Sequence, residues 1–311
     1  GTKYVSSYIE SRGGSFSNAG VFFGLQPFLV EYLTKPITKE DIDEAETVFS
    51  MHGVPFNRKG WEHILKEHRG YLPIEIQTLP EGTVTKAGDV LVQIVNTDPE
   101  VPWLTSYIET ALLRAIWYPT TVASLSKAIK NIIKGYMEES CDTLDKLDFM
   151  LNDFGSRGVS SLESSELGGM AHLISFVGTD NLPAVVAARR YYGAEMPGFS
   201  IPAAEHSTMT AWGRDREVDA YANMLDQFAK PGALVAVVSD SYDLYNAITN
   251  IWGNQLQQKV RDSGATVVIR PDSGDPVQVV SDTVELLMEK FWYTFNEKGY
   301  KVLPDCARVI Q

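Results

Sequence analysis

The sequence predicts an α/β fold whose second half is built from alternating strands and helices and whose first half is mixed and β-rich. After residue 145, short apolar runs typical of buried strands alternate with helical patterns. No antiparallel hairpin signal separates these runs, which favours a (β/α) barrel; a doubly wound open sheet is the alternative. In residues 72–97, apolar and polar residues alternate as in half-buried strands. We expect two domains, 1–145 and 146–311.

In the first half, residues 4–14 predict a strand that ends in a glycine turn. Residues 38–51 predict a helix with a threonine cap and acids in its first turn. Residues 61–70 predict a short helix closed by a glycine. Residues 103–139 predict long helices that break at Pro119, because proline lacks the helical donor.

In the second half, four apolar runs predict strands, each followed by a polar turn and a helix. The predicted strands are 147–152, 172–178, 232–239 and 265–270. The helices after the last three are expected to end at Gly193, at Gly253 and near residue 291. Residues 307–311 predict the start of another strand. Because the chain also begins at Gly1 without an initiator methionine, we expect it to be part of a longer protein, with the barrel's closing strands beyond Gln311.

The composition limits the classes of partner. The formal net charge of −13 disfavours nucleic acid and anionic membranes as binding surfaces. No segment approaches the roughly 18 consecutive apolar residues of a membrane span. Cys141 and Cys306 have no metal-binding spacing and are expected to be free thiols in a reducing compartment, so we expect a cytoplasmic protein.

Candidate functional residues follow the predicted strands, where α/β folds place their chemistry. Capping of the next helix is the alternative explanation for Asp180 and Asp240. It is weaker for Asp272, because Asp275 already supplies a cap for the following helix. The strand-end positions hold two arginines, three acids and one histidine: Arg157, Arg270, Asp180, Asp240, Asp272 and His206.

This set of residues predicts a phosphosugar ligand. Arginine binds phosphate through its planar fork, and acids bind ribose hydroxyls or Mg²⁺. Phe154 is either a core residue or a ring face for a flat ligand. The sequence has no Ser-His-Asp order, no CxxC, no HExxH and no Walker loop. His63 and His68 are five residues apart on a predicted helix and do not share a face, so we expect both to be solvated.

Several motifs resemble the nicotinamide phosphoribosyltransferase family, in the family's order over nearly the whole chain. They are DFGSRGVSS (153–161), GTDNLPA (178–184), IPAAEHSTMTAWG (201–213), VVSDSYDLYNA (237–247) and VIRPDSGDP (268–276), with VNTDPEVPWLTSYIET (95–110) also similar. The resemblance implies a type II phosphoribosyltransferase fold, in which a β-rich domain packs beside an irregular α/β barrel, and a homodimer with shared active sites. It implies transfer of phosphoribosyl from phosphoribosyl diphosphate to nicotinamide, giving nicotinamide mononucleotide and diphosphate in NAD salvage.

The resemblance also implies roles for substrate-binding residues. Phe154 matches the aromatic that stacks on the pyridine ring, and Asp180 matches the acid that accepts from the carboxamide. Arg157 and Arg270 match diphosphate ligands. Arg12 resembles an arginine donated to the partner subunit's site.

The remaining assignments concern the ribose, the metal ion and ATP. Asp272 matches an acid near the ribose, and the neighbouring Pro271 is included with the substrate-binding residues. Asp240 matches an acid near the sugar diphosphate and Mg²⁺, and we expect the ion to be held through the diphosphate. His206 matches a histidine that ATP phosphorylates, with Glu205 orienting its imidazole.

Three alternatives stay open at the level of sequence. Nicotinate phosphoribosyltransferase shares the fold, and Asp180 argues against it because a carboxylate repels nicotinate. A barrel glycosidase would use paired acids, and the strand-end arginines argue against it. A non-catalytic signalling or scaffolding protein on the same fold is the third.

Overall fold

A computed structural model of the chain describes residues 1–14 and 16–311. The chain forms two compact units. The first contains Gly1–Gly135 and Asp145–Phe199, and the second contains Tyr136–Leu144 and Ser200–Gln311. The division into domains at residues 145 and 146 stays a prediction.

The first unit contains short sheets and the longest helix. Its strands are β1 (Ser6–Glu10), β2 (Ala19–Val21), β3 (Ile74–Thr78), β4 (Val84–Lys86), β5 (Val90–Asn96), β6 (Asn152–Asp153) and β7 (Gly178–Thr179). Its helices are α1 (Leu25–Phe28), α2 (Lys39–His52), α3 (Arg58–Glu67), α4 (Leu104–Tyr107), α5 (Glu109–Ser140, extending past Gly135), α6 (Leu162–His172) and α7 (Leu182–Tyr192).

A three-stranded antiparallel sheet, in the order β1-β5-β3, confirms the predicted β-rich region. The central strand β5 contributes Leu91, Val92 and Ile94 to a buried cluster. The sheet can bury one face because successive side chains point to opposite sides of a strand. Strands β2 and β4 form a second antiparallel pair.

The buried side chain of Asn96, at the end of β5, holds the N-terminal segment. Its Oδ1 accepts from the backbone N–H of Val5 at 2.7 Å. Its Nδ2 donates to the carbonyl of Lys3 at 2.9 Å and to that of Asp98 at 2.7 Å. One amide therefore links the chain start to the turn after β5.

Helix α2 follows the sequence prediction closely. Thr38 is its N-cap and Asp41 completes a capping box, so two backbone donors that a helix leaves unpaired are satisfied.

The predicted break at Pro119 is wrong, because α5 continues through it. Gly24, with φ 104°, packs against the proline ring, and a Cβ on it would lie 2.1 Å from Pro119 Cγ and 3.1 Å from the carbonyl oxygen of Ala115. Contact with this glycine accommodates the proline within the helix.

Two predicted strands in the first unit are mostly wrong. Residues 147–149 form a 3₁₀ turn, and only Asn152 of the predicted strand 147–152 belongs to a strand, β6. Helix α6 continues to His172, and backbone hydrogen bonds such as Phe176 N to His172 O hold the next residues in turns. Apolar runs alone do not separate turns from buried strands.

The second unit contains a parallel sheet covered by helices. Its strands are β8 (Leu234–Val238), β9 (Thr266–Arg270), β10 (Thr294–Phe295), β11 (Lys301–Val302) and β12 (Ala307–Val309). Its helices are α8 (His206–Thr210), α9 (Glu217–Phe228), α10 (Leu244–Asn246), α11 (Gln257–Ser263) and α12 (Pro276–Phe291), with a π-helical segment at Ala247–Gln255.

The order β12-β9-β8 is parallel throughout, and a parallel bridge from Ala203 to Ala236 adds the segment before α8 to the sheet. This confirms the predicted strands 232–239 and 265–270 and the strand that begins near residue 307.

The predicted helix end at Gly253 is wrong, because the π-helical segment runs through it. A Cβ there would lie 2.5 Å from Lys290 Cγ, so this glycine permits close packing against α12.

The helices of the described residues include none that is both long enough and apolar enough to cross a bilayer.

Candidate functional site

Four of the strand-end residues of the second unit meet at one edge of its parallel sheet. Asp240 follows β8, Arg270 ends β9, Asp272 comes two residues later, and His206 begins α8. Because parallel strands present their carboxyl ends at the same edge, residues that are far apart in sequence converge there. Pro271 is buried between Arg270 and Asp272.

His206 is held by the carboxylate of Asp240. Its Nε2 lies 3.0 Å from Asp240 Oδ1, while its Nδ1 lies 3.8 Å from Asp272 Oδ2. A carboxylate oxygen can only accept, so Nε2 carries the proton that it donates to Asp240. In the neutral imidazole the lone pair is then on Nδ1, and the side chain is 42 % exposed.

The carboxylate of Asp240 accepts two further hydrogen bonds at its other oxygen. Oδ2 accepts from Ser273 Oγ at 2.6 Å and from the backbone N–H of Asp272 at 2.9 Å. Burial raises the pKa of Asp240, but the bonds from Ser273, Asp272 and His206 outweigh it and hold the pKa below its usual value. Asp240 is therefore an ionised, 4 % exposed acceptor that joins the three strand-end loops.

Arg270, whose side chain is 14 % exposed, is incompletely paired. Its Nη2 lies 3.5 Å from Asp272 Oδ2 and 3.9 Å from Glu205 Oε2, both long for a hydrogen bond. Its Nε is buried and has no hydrogen-bond partner among the described residues. A buried donor without an acceptor is unfavourable, so the guanidinium fits an anion that supplies the missing oxygens.

In the first unit, Phe154 and Asp180 follow the paired parallel strands β6 and β7. The backbone N–H of Asp180 donates to the carbonyl of Asp153 at 3.0 Å, which brings the two strand ends together. The Phe154 ring is 48 % exposed, so the core alternative for it is wrong. Arg157 lies in the adjacent 3₁₀ turn Gly155–Gly158 and is exposed.

The capping alternative fails for both acids. Asn181, not Asp180, caps α7, since its Oδ1 accepts from the backbone N–H of Ala184 at 3.2 Å. Asp243, not Asp240, caps α10 through the N–H of Asn246. Two strand-end acids are thus left for other roles.

Asp275 caps α12, as expected from the sequence. Arg12 lies just beyond β1 and is exposed. Ser273 was not among the predicted functional residues. Its signal was a hydroxyl directly after a strand-end acid, in the segment PDSG.

Two protein-family models match different parts of this chain. The profile of the nicotinate phosphoribosyltransferase (NAPRTase) family matches residues 149–311, about half of the chain. The profile of the nicotinamide phosphoribosyltransferase N-terminal domain matches residues 1–76.

Two curated relatives are both named nicotinamide phosphoribosyltransferase. The protein from Xanthomonas campestris pv. campestris (strain 8004) is 53% identical over 312 residues, which cover all of this chain and 66% of the relative. The protein from Acinetobacter baylyi (strain ATCC 33305 / BD413 / ADP1) is 31% identical over 348 residues, covering all of this chain and 68% of the relative. The chain thus spans about two thirds of the length of these relatives.

Among solved structures, human nicotinic acid phosphoribosyltransferase has a similar fold. The TM-score is 0.56 at 16% sequence identity, covering 93% of this chain and 60% of that chain. This similarity confirms the predicted type II phosphoribosyltransferase-like α/β fold. From the matching profiles and the identity to both relatives, the chain belongs to the nicotinamide phosphoribosyltransferase family.

Proposed function

We propose that the protein transfers the phosphoribosyl group of phosphoribosyl diphosphate to nicotinamide, giving nicotinamide mononucleotide and diphosphate. The observation that carries this proposal is the incompletely paired Arg270, with its buried Nε, beside the hydrogen-bonded pair His206 and Asp240. Family membership supplies the reaction class. Free thiols at Cys141 and Cys306 and small polar substrates are consistent with NAD salvage in the cytoplasm.

The sheet edge of the second unit is proposed to bind the diphosphate and ribose. Arg270 supplies a positively charged fork whose Nε needs an acceptor, and a diphosphate oxygen is a strong one. Asp272, with a side chain 45 % exposed, is proposed to accept from a ribose hydroxyl. Pro271 fixes the backbone between them. As the C–O bond at the anomeric carbon breaks, Arg270 would stabilise charge on the leaving group.

The strand ends of the first unit are proposed to bind the base. The exposed ring of Phe154 offers a face for stacking on pyridine. Asp180 would accept from the carboxamide NH₂ and repel the carboxylate of nicotinic acid. Arg157, in the turn that follows Phe154, is proposed to bind phosphate oxygens.

Magnesium fits this site as an ion carried by the diphosphate. Both oxygens of Asp240 already accept hydrogen bonds, so direct coordination would require it to lose a bond to His206, Asp272 or Ser273. Asp272 is the more exposed carboxylate and suits an outer role through water. When bound, magnesium would neutralise charge on the departing diphosphate.

ATP is proposed as a coupled co-substrate through His206. Because Asp240 fixes the proton on Nε2, Nδ1 is the nitrogen with a free lone pair for the γ-phosphoryl group. A phosphate on Nδ1 would lie beside Asp272, whose Oδ2 is 3.8 Å from Nδ1 and 3.5 Å from Arg270 Nη2. Arg270 is therefore the cation proposed to pair with the added negative charge. We further propose a homodimer in which Arg12 serves the partner's site.

The proposal is tested with full-length protein, phosphoribosyl diphosphate and Mg²⁺, with nicotinamide and nicotinic acid offered in parallel. Mononucleotide and diphosphate from nicotinamide alone are the expected result. Product from nicotinic acid would instead favour the second candidate, nicotinate phosphoribosyltransferase, whose family profile matches residues 149–311. The absence of product from either base would favour a non-catalytic protein on this fold.

A further inference from the structure

A second cluster of polar side chains lies in the first unit, built from His63, His68 and Asp98. The Nε2 atoms of both histidines lie 2.7 Å from the same oxygen, Asp98 Oδ2. Ligand atoms of all three residues lie within 4.8 Å of one another. This corrects the expectation that the two histidines are solvated and separate.

The histidines meet because α3 ends between them. A continued helix would turn residues 63 and 68 to different faces. Helix α3 ends at Glu67, and His68 is its C-cap with φ −115°. The helix then closes into the tight turn at Arg69 and Gly70, both with positive φ. The side chain of His68 therefore turns back towards His63 instead of following the helix.

Asp98 is held in place from the other side. Its Oδ1 accepts from the backbone N–H of Glu100 at 2.8 Å, and its carbonyl accepts from Asn96 Nδ2 at 2.7 Å. Oδ2 is thereby aimed at the two imidazoles. Outer hydrogen bonds of this kind orient the carboxylates that bind metals in proteins.

We propose that His63, His68 and Asp98 form a binding site for a divalent transition-metal ion, with zinc as the representative ion. Two imidazole nitrogens and one carboxylate oxygen form a donor set typical of zinc, with water as the fourth ligand. Imidazole selects against magnesium and calcium, which prefer oxygen, so this site is chemically different from a diphosphate-bound magnesium ion.

The required rearrangement is small. Bonds of about 2.0–2.1 Å to nitrogen and about 2.0–2.2 Å to oxygen in a tetrahedral ion separate the ligand atoms by roughly 3.3 Å. The present separation of 2.7 Å would increase by about 0.6 Å. The side chains of His63 and His68 are 30 % and 31 % exposed, so their rings have room to turn. The ion would take the place of the two Nε2 protons that now point at Oδ2, and each neutral imidazole would then carry its proton on Nδ1.

The bound ion would brace three segments of the first unit. His63 and His68 belong to the end of α3, and Asp98 belongs to the turn after β5. Asn96 joins that turn to the N-terminal segment. Metal binding would therefore raise the unfolding temperature of the protein, because an ion that binds only the folded state stabilises it.

The test uses full-length protein stripped with a chelator and kept free of phosphoribosyl diphosphate. Co²⁺ is titrated in as a spectroscopic probe and Zn²⁺ is used to displace it. One Co²⁺ per chain with visible ligand-field absorption, displaced by Zn²⁺, is the expected result. The variants His63→Gln and His68→Gln should weaken binding by at least about tenfold, since even outer-shell changes cost that much.

Two controls locate the ion. His52→Gln, on the exposed end of α2, should bind Co²⁺ like the unmodified protein. His206→Asn should also leave the absorption unchanged, which excludes the sheet edge of the second unit. Thermal melting of each metal-free variant checks its folding. Two results would refute the site and leave a purely hydrogen-bonded His–Asp–His cluster. One is no Co²⁺ absorption in the unmodified protein, and the other is binding by His63→Gln and His68→Gln as strong as that of the unmodified protein.

Discussion

Asp240 fixes the orientation of His206 by accepting from its Nε2 at 3.0 Å, which leaves Nδ1 facing the more exposed Asp272. An asparagine at residue 240 keeps the shape and removes the charge. A hydrogen bond to a charged group contributes roughly 1.5–3 kcal/mol, so we expect kcat/KM in the presence of ATP to fall about 10- to 100-fold in Asp240→Asn.

The diagnostic measurement for Asp240→Asn is the ratio of rates with and without ATP. Loss of ATP stimulation with retained basal synthesis is expected, because the tautomer of His206 is no longer fixed. Unchanged stimulation would show that Asp240 does not control His206.

Arg270→Lys keeps the positive charge but loses the planar fork and the buried Nε donor. We expect the KM for phosphoribosyl diphosphate to rise about tenfold or more, as for the loss of a charged bond of about 1.5 kcal/mol. Steady-state kinetics at varied phosphoribosyl diphosphate measures this. The matched control is Arg216→Lys, an exposed arginine paired with Asp219. Equal KM values for both variants would remove Arg270 from the diphosphate site.

Asp180→Asn should alter the choice of base. The amide no longer repels a carboxylate, so we expect the preference for nicotinamide over nicotinic acid to fall by roughly tenfold or more. Competition between the two bases, with product analysis, measures the ratio. Asp145→Asn, an exposed acid, is the control. If Asp180→Asn retained the full preference, base selection would have to lie elsewhere.

His172 gives a pH dependence of stability. Burial lowers the pKa of His172 from its ordinary value of 6.5, and its Nε2 lies 2.9 Å from the carbonyl of Gly178. The unfolded chain therefore binds more protons just below pH 6.5. Its contribution to stability is fully present above that value and is lost as pH falls through the lowered pKa.

His172→Gln should accordingly lose less stability than the unmodified protein between about pH 7 and pH 5, measured by urea unfolding at each pH. The exposed His52→Gln variant should keep the full loss. Parallel curves for His172→Gln and the unmodified protein would contradict the burial argument.

Gly24→Ala tests the contact with Pro119. Gly24 and Gly88 both have positive φ, 104° and 88°, but only at Gly24 would a Cβ meet other atoms. We expect Gly24→Ala to lower the free energy of unfolding by roughly 1–3 kcal/mol more than Gly88→Ala, because overpacking adds to backbone strain. Urea unfolding of both variants gives the difference, and equal losses would mean that the contact relaxes freely.

The strand-end residues of the second unit could be predicted from sequence because each follows a short apolar run that is recognisable by itself. Strands β8 and β9 are rich in valine, as is typical of buried parallel strands, and parallel strands align their carboxyl ends. Asp240 and Asp272 were therefore correctly placed at one edge. The hydrogen bonds that make Asp240 a shared acceptor depend on Ser273 and on a backbone N–H, which a residue pattern does not specify.

Each wrong prediction has a structural cause that can be named. A helix that continues to Gly70 would place His63 and His68 on different faces. In the structure the helix ends before His68, and the C-cap conformation of His68 sets the direction of its imidazole. Residues 172–178 carry an apolar run that packs as buried turns, since strand propensity depends on packing context. Pro119 remains within a helix and packs against Gly24, a residue 95 positions away that no local rule considers.

The attachment of the N-terminal segment depends on the amide of Asn96. Its amide nitrogen donates to two carbonyl oxygens, of Lys3 and Asp98. Spontaneous deamidation would replace that nitrogen with an oxygen of a carboxylate, turning two attractions into two repulsions in a site that is 1% exposed. A single hydrolysed amide would release the first residues of the chain from the turn after β5.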